Sequence, residues 1–119
     1  MIEQIDAPEG VLAFKAVGKI AADDYKNVLA PAIEAASAEN EKLRLVYVLG
    51  PEFESYSAGA SWQDAKLGVG HLTKWERIAA VTDHSLMADA IRGFSILMPG
   101  DVKVFQVSEL EQAMTWAAG

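Results

Sequence analysis

Cysteine is absent from the 119 residues, which removes disulfide frameworks, thiolate metal sites and thiol nucleophiles together. Histidine is scarce. His71 and His84 are the only two, and with no third spaced ligand they make a poor metal pattern. Basic residues are few: Lys+Arg 10 against Asp+Glu 17 leaves a net charge of −7, which argues against a sequence-independent grip on nucleic acid or on an anionic membrane. No apolar run approaches the ~18 residues that span a bilayer. The longest, Leu45 to Leu49 and Phe94 to Met98, are of core length. The start, Met1 to Asp6, carries acids where a secretory signal carries Lys or Arg, so the expected compartment is cytoplasmic. Gly-x-Ser-x-Gly elbows, Gly-x-Gly-x-x-Gly fingerprints and Walker loops are missing as well.

What is present is an ordinary globular composition, 51% hydrophobic and 23% charged, sized for one domain over residues 1–119 with a core of its own. Ile2 and Ile5 begin a short extended segment that ends at the turn cluster Ala7-Pro8-Glu9-Gly10. Val11 to Ile20 alternates, with Leu12, Phe14 and Ala16 on one face, and pairs with the first segment as a hairpin. Tyr25, Val28, Leu29, Ala32, Ile33 and Ala36 recur at helical spacing behind Asp23 and Asp24. Pro31 conflicts with that helix: it removes a bond to the Asn27 carbonyl and predicts a kink or a restart. Leu43 to Leu49 and Arg77 to Thr82 are continuous apolar segments, the pattern of central strands buried on both faces. Between them, Glu52 to Ala60 is polar and predicts the longest loop, followed by a helical stripe at Trp62, Ala65, Val69 and Leu72. Leu86, Ala90, Ile91, Phe94 and Met98 form a third stripe that stops at Pro99-Gly100, with Asp83 as its N-cap. Val102 to Val107 is the last strand. Ser108-Glu109-Leu110-Glu111 matches a capping box for a closing helix carrying Leu110, Ala113, Met114 and Ala117.

The order is β-β-α-β-α-β-α-β-α. Strict alternation after the hairpin predicts an α/β fold: a mostly parallel five-stranded sheet with one antiparallel edge strand. This succession resembles the SpoIIAA-like (STAS-like) family of small bacterial proteins. The likeness is carried by Gly18-Lys19-Ile20 leading into Asp23-Asp24-Tyr25, by Trp62 to Gly68, by His71 to Trp75 running into Arg77 to Asp83, and by Val104-Phe105 followed by Glu111-Gln112-Ala113 and Trp116. The anti-sigma-factor antagonists of that fold carry an Asp-Ser-Ser-Gly-type turn with a phosphorylated serine. Here the corresponding stretch is Ser55-Tyr56-Ser57-Ala58-Gly59-Ala60-Ser61, without the Asp and without adjacent serines, so the phosphoswitch is not carried over. The resemblance implies the fold, a tendency to self-associate and a pocket for an apolar ligand.

In parallel sheets a cleft forms beyond the carboxyl ends of the strands. That places candidate ligand-binding residues at Phe53, Tyr56, Ser57, Ser61, Trp62, Asp83 and His84. Ser57 and Ser61 read first as helix caps and only second as phosphate-binding or phosphorylated positions. Trp62, on a helical stripe, reads first as core and second as a pocket wall. Phe53 and Tyr56 are aromatic residues in a polar stretch, and they predict either a lid that folds back or a surface covered by a partner. Glu52 and Glu54, two apart, read as solvated rather than as an acid/base pair. His71, Lys66, Lys74 and Arg77 are too few for a nucleic-acid footprint.

Two functions follow. The first is a non-enzymatic regulatory or binding module acting through protein contacts, with a homodimer expected because crossovers on one side would leave the other face of the strands at Leu43 and Arg77 in need of cover. The second is a small carrier of an apolar or lipid-like molecule in a cleft under residues 50–61. No cofactor and no metal are expected, and an enzyme ranks last because no nucleophile, base and orienting group assemble from these residues.

Overall fold

The apolar runs at residues 43–49 and 77–82 take the interior positions of a sheet, where both of their faces can leave water. The computed structural model describes residues 1–60, 63, 66, 70, 72–96 and 98–119. Its strands are β1 (Ile2–Gln4), β2 (Leu12–Ala16), β3 (Gly18–Ile20), β4 (Leu43–Leu49), β5 (Phe53–Tyr56), β6 (Trp75–Thr82) and β7 (Asp101–Phe105). Five of them form one sheet in the order β1-β2-β4-β6-β7. β1 runs antiparallel to β2, and the remaining neighbours are parallel, with Phe14 beside Tyr47, Tyr47 beside Ala80 and Ala80 beside Val104. The expected sheet, with its single antiparallel edge pair, is the one observed.

The segment expected as one strand from Val11 to Ile20 divides instead. Gly18 takes φ +69°, a left-handed conformation that costs a glycine little, and its N–H donates to the Glu52 carbonyl at 2.6 Å. The chain thereby leaves the main sheet, and β3 pairs in parallel with β5. Residues 52–60, expected as a loop, accordingly contain a strand. Alternation alone does not reveal which edge a strand joins, so this two-stranded sheet had no clear sequence signature.

The helices are α1 (Ala22–Asp24), α2 (Ala30–Glu39), α3 (Ser85–Ser95) and α4 (Leu110–Ala118). Residues 58–60, 63, 66 and 70 are helical too. The expected stripe residues Trp62, Ala65 and Val69 lie outside the described residues, as does His71, and Leu72 opens a 3-10 turn, Leu72–Lys74. Pro31 does disturb its helix, but the form is specific. A π turn, Tyr25–Leu29, joins α1 to α2, with the Ala30 N–H donating to the Tyr25 carbonyl, and helical backbone continues through Pro31. A widened turn just ahead of the proline accommodates the missing N–H without ending the helix.

Two caps fall elsewhere than expected. Ser108 lies inside a 3-10 turn, Val107–Glu109, and it is Glu109 that reaches back, accepting from the Gln106 N–H at 2.8 Å. The box therefore sits two residues earlier than Ser108-Glu111. Asp83 does not cap α3: its carboxylate accepts from the Val107 N–H at 3.1 Å, while His84 occupies the cap position with no side-chain bond.

Each sheet face has its own core. On one, Phe14, Leu45, Tyr47 and Leu49 pack with Tyr25, Leu29 and Ile33, and Met87 and Ile91 of α3 close over them. On the other, Ala13, Val46, Val48, Ala79 and Val81 meet Ala113 and Ala117 of α4. Small residues on both sides bring α4 close to the sheet. The second face is thus covered within the chain, and the uncovered sheet expected to draw a second subunit is not there.

α4 is also tied down at its carboxyl end. Arg44 and Arg77, paired in register on neighbouring strands, donate to the carbonyls of Ala117 at 3.0 Å and Trp116 at 2.6 Å. Arg77 also lies over the Trp116 ring, and Arg44 is held by Glu76. Cations at a helix carboxyl end satisfy both its free carbonyls and its dipole. Replacing either arginine with Met is expected to cost about 1–2 kcal/mol in urea unfolding, with the midpoint falling and the slope unchanged.

Candidate functional site

The chain has three tyrosines, and all three meet toward the carboxyl ends of the strands. Tyr25 begins the π turn and is fully buried. Its hydroxyl donates to that of Tyr56 at 3.2 Å and lies 3.5 Å from that of Tyr47. Tyr25 comes from the helical segment, Tyr47 from β4 and Tyr56 from β5, so the cluster stitches the small sheet to the large one. A phenol removed from water needs a hydrogen-bond partner, and here hydroxyls serve one another. In the sequence Tyr25 belongs to a helix stripe and Tyr47 to a strand; the signal that joins them is that an apolar stripe containing Tyr implies a second polar group inside the core.

Of the residues singled out from sequence, three come together. Phe53 is buried, its ring 5.2 Å from that of Tyr56 and edge-on to His84 at 5.7 Å. Phe53 and Tyr56 therefore fold back as part of the core, with Tyr25 and Tyr56 rings also in contact. Ser57 is a cap: its hydroxyl accepts from the Ala60 N–H at 3.0 Å. Asp83 turns toward Val107 rather than toward this cluster, with Thr82 holding the His84 N–H at 3.1 Å. Ser61 and Trp62 lie outside the described residues. Glu52 pairs with Lys15, and Lys74 donates to the Ser37 carbonyl near the end of α2. Among the described residues, no group of three or more His, Asp or Glu is placed to hold a metal, and no buried side-chain nitrogen or oxygen lacks a partner.

A cleft of about 150 Å³ lies at the opposite end of the strands, bordered by Val11, Leu12, Asn40, Lys42 and Arg44. It is smaller than the ~300–1,000 Å³ of ordinary small-molecule sites.

The larger departure from expectation is α3. Leu86 and Ile96 are each 84% exposed and Phe94 40%, and Ala90 is exposed with them. Spacing alone places Leu86, Ala90 and Phe94 in the buried stripe, and the structure leaves all three exposed. The residues facing inward are Met87, Ala88 and Ile91. The helix carries apolar residues on more than one side, so spacing alone did not decide which side meets the sheet. Among the described residues, every exposed large apolar side chain other than Met1 belongs to α3 or to Ile96, which ends it.

No described helix is long and apolar enough to cross a membrane. No curated protein sequence matches the chain. Its structure is similar to the crystal structure of an uncharacterised DUF3478-family protein with a SpoIIAA-like fold from Shewanella loihica PV-4, with a TM-score of 0.80 and 29% identity over 98% of this chain and 92% of that one. The SpoIIAA-like family matches residues 11–118, nearly the whole sheet and all the helices, and the chain belongs to that family.

Proposed function

We propose that this chain is a non-enzymatic binding module that acts through a protein contact made by α3. The observation that supports the reading is the exposure of large apolar side chains on that helix and at its end, Leu86 and Ile96 at 84% and Phe94 at 40%, while the other exposed large apolar side chain among the described residues is Met1. Proteins of this fold are generally binding or regulatory modules. The carrier reading has less behind it among the described residues: Phe53 and Tyr56, two of the three aromatic residues expected at a cleft mouth, pack on one another, and the Tyr25 hydroxyl donates to that of Tyr56. Ser57 serves as a cap, in keeping with a contact that needs no phosphoserine.

The test is a photo-crosslinking residue at Ile96, with a control at the exposed Glu39 of α2. A protein adduct through position 96 and none through position 39 is the expected outcome. Crosslinking equal at both positions, or native mass spectrometry showing a co-purified lipid-like adduct and no protein partner, would overturn the reading in favour of the carrier.

A further inference from the structure

We infer that the outer edge of β7 receives an extended segment of a partner protein as a sixth strand, one that carries a basic, an acidic and an aromatic residue at alternate positions. This edge is a surface other than the apolar side of α3, and stands or falls without it. β7 ends the sheet order, and its one ladder is with β6. In a parallel ladder half of a strand's N–H and C=O groups point to its neighbour and half point away. Among the described residues, no backbone group of another element bonds to that far side. α4 leaves it open as well, because its small residues are seated on β4 and β6.

The side chains along this edge are unmatched. With a period of two, Asp101, Lys103 and Phe105 share the α4 side of the strand, where Phe105 groups with Val81 and Ala113. Asp101 and Lys103 are exposed. Asp101 stands opposite Arg77 in register, but Arg77 is turned to the carbonyl and ring of Trp116. The Lys103 ammonium lies over the Phe105 ring at 5.1 Å. Lys15, Arg44 and Arg92 sit in ion pairs, whereas neither Asp101 nor Lys103 has an ion-pair partner among the described residues. Phe105 in turn touches the half-buried Trp116.

Directly opposed side chains on neighbouring strands favour opposite charges and aromatic pairs, and they penalise like charges. A strand beside β7 is therefore matched when it sets a base against Asp101, an acid against Lys103 and an aromatic ring against Phe105 and the rim of Trp116. Between these, apolar residues meet Val102 and Val104, which are half-buried on the other side. A lysine on a sheet edge keeps out strands that bring no carboxylate to it, so Lys103 selects as well as attracts. A second copy fits poorly. A two-fold axis makes the pairing antiparallel; centred on Lys103 it opposes Lys103 to itself, and centred on Val102 it sets Phe105 against Pro99, which has no N–H to give.

The probes are two end-blocked peptides, Lys-Val-Glu-Val-Phe and its reverse, Phe-Val-Glu-Val-Lys, titrated into the isotope-labelled chain and followed by amide chemical shifts. One of them, according to strand direction, is expected to move the amides of β7 with a dissociation constant on the order of 100 μM, weak because the contact is well below roughly 1,200 Å². Lysine in place of the central glutamate is expected to weaken binding about tenfold, and Lys103→Glu to invert that preference. Circular dichroism checks that the exposed Lys103→Glu change leaves the fold intact. N-methylating alternate residues of the peptide is expected to abolish binding for one alternate set and to leave it within about threefold for the other, whose N–H groups point to water. No shift at β7 up to about 1 mM peptide, a preference that Lys103→Glu leaves unchanged, or equal effects of the two methylated sets overturns the sixth strand. Shifts at β7 that follow protein concentration without peptide give the edge to a second copy, and shifts that phenylacetate reproduces give it to a small molecule; either result overturns the partner segment. None of these outcomes bears on crosslinking through position 96, so the contact reading of α3 is judged apart.

Discussion

Gly100→Ala is expected to lower the unfolding free energy by about 3 kcal/mol, among the largest single effects of a one-methyl change in this protein. Gly100 ends the turn after α3 and leads into β7. A Cβ built there collides with the Trp75 carbonyl oxygen and meets the Glu76 carbonyl oxygen at 2.8 Å and the Trp75 carbonyl carbon at 2.9 Å. All three are backbone atoms at the start of β6, fixed by pairing with β4 on the other side. A flexible side chain could swing away from a new methyl group, but a strand held in a parallel ladder cannot, so β6 and β7 must separate at the point where Arg77 and Asp101 begin to pair. For a chain of this length the melting temperature should fall by roughly 10–15 °C. Gly93→Ala is the counter-case. It lies in α3 with open space where its Cβ would go, and loss of glycine freedom in a helix should raise stability by about 0.5–1 kcal/mol. Denaturant titration of both at low micromolar concentration gives opposite signs. Equal effects would mean that β6 does not approach Gly100 as closely in solution.

The sheet was legible because its evidence is redundant. Leu43 to Leu49 and Arg77 to Thr82 are too short and too continuously apolar for anything but strands covered on both faces, and alternation with helices then leaves few topologies. The parallel ladder from Phe14 through Tyr47 to Ala80 follows. Harder to see was what depends on contacts distant in sequence. β5 has no alternation of its own and exists because Gly18 turns β3 toward Glu52. Asp83 looked like a cap because caps are local, yet the Val107 N–H, 24 residues away, was the donor it found. α3 carried two overlapping apolar stripes, and only the position of the sheet distinguishes Met87 and Ile91, inside, from Leu86 and Ile96, outside. The expected site was legible in part: Phe53, Tyr56 and His84 do come together. Tyr25 and Tyr47 were hidden inside elements whose apolar periodicity accounted for them completely.

Those tyrosines carry the second large effect. Tyr25→Ala is expected to cost about 4 kcal/mol, in the range for deleting a buried aromatic ring, because Tyr25 is 1% exposed and packs between the helical segment and β5. Tyr25→Phe separates the ring from the hydroxyl. The ring stays in place, but the oxygen that sits between Tyr47 and Tyr56 is gone. Two phenols then lose a neighbour inside a core that admits little water, a loss of about 1–2 kcal/mol. Removing all three hydroxyls together should cost less than the sum of the three single changes, since groups that satisfy one another can leave together more cheaply than one at a time. Such non-additivity, read from a triple Tyr→Phe variant against its singles by urea unfolding, is the signature of a cluster that joins two sheets. Additive losses, with protection from an added apolar ligand, would instead mean that the hydroxyls are turned toward a molecule bound from outside, and would return the carrier reading to first place.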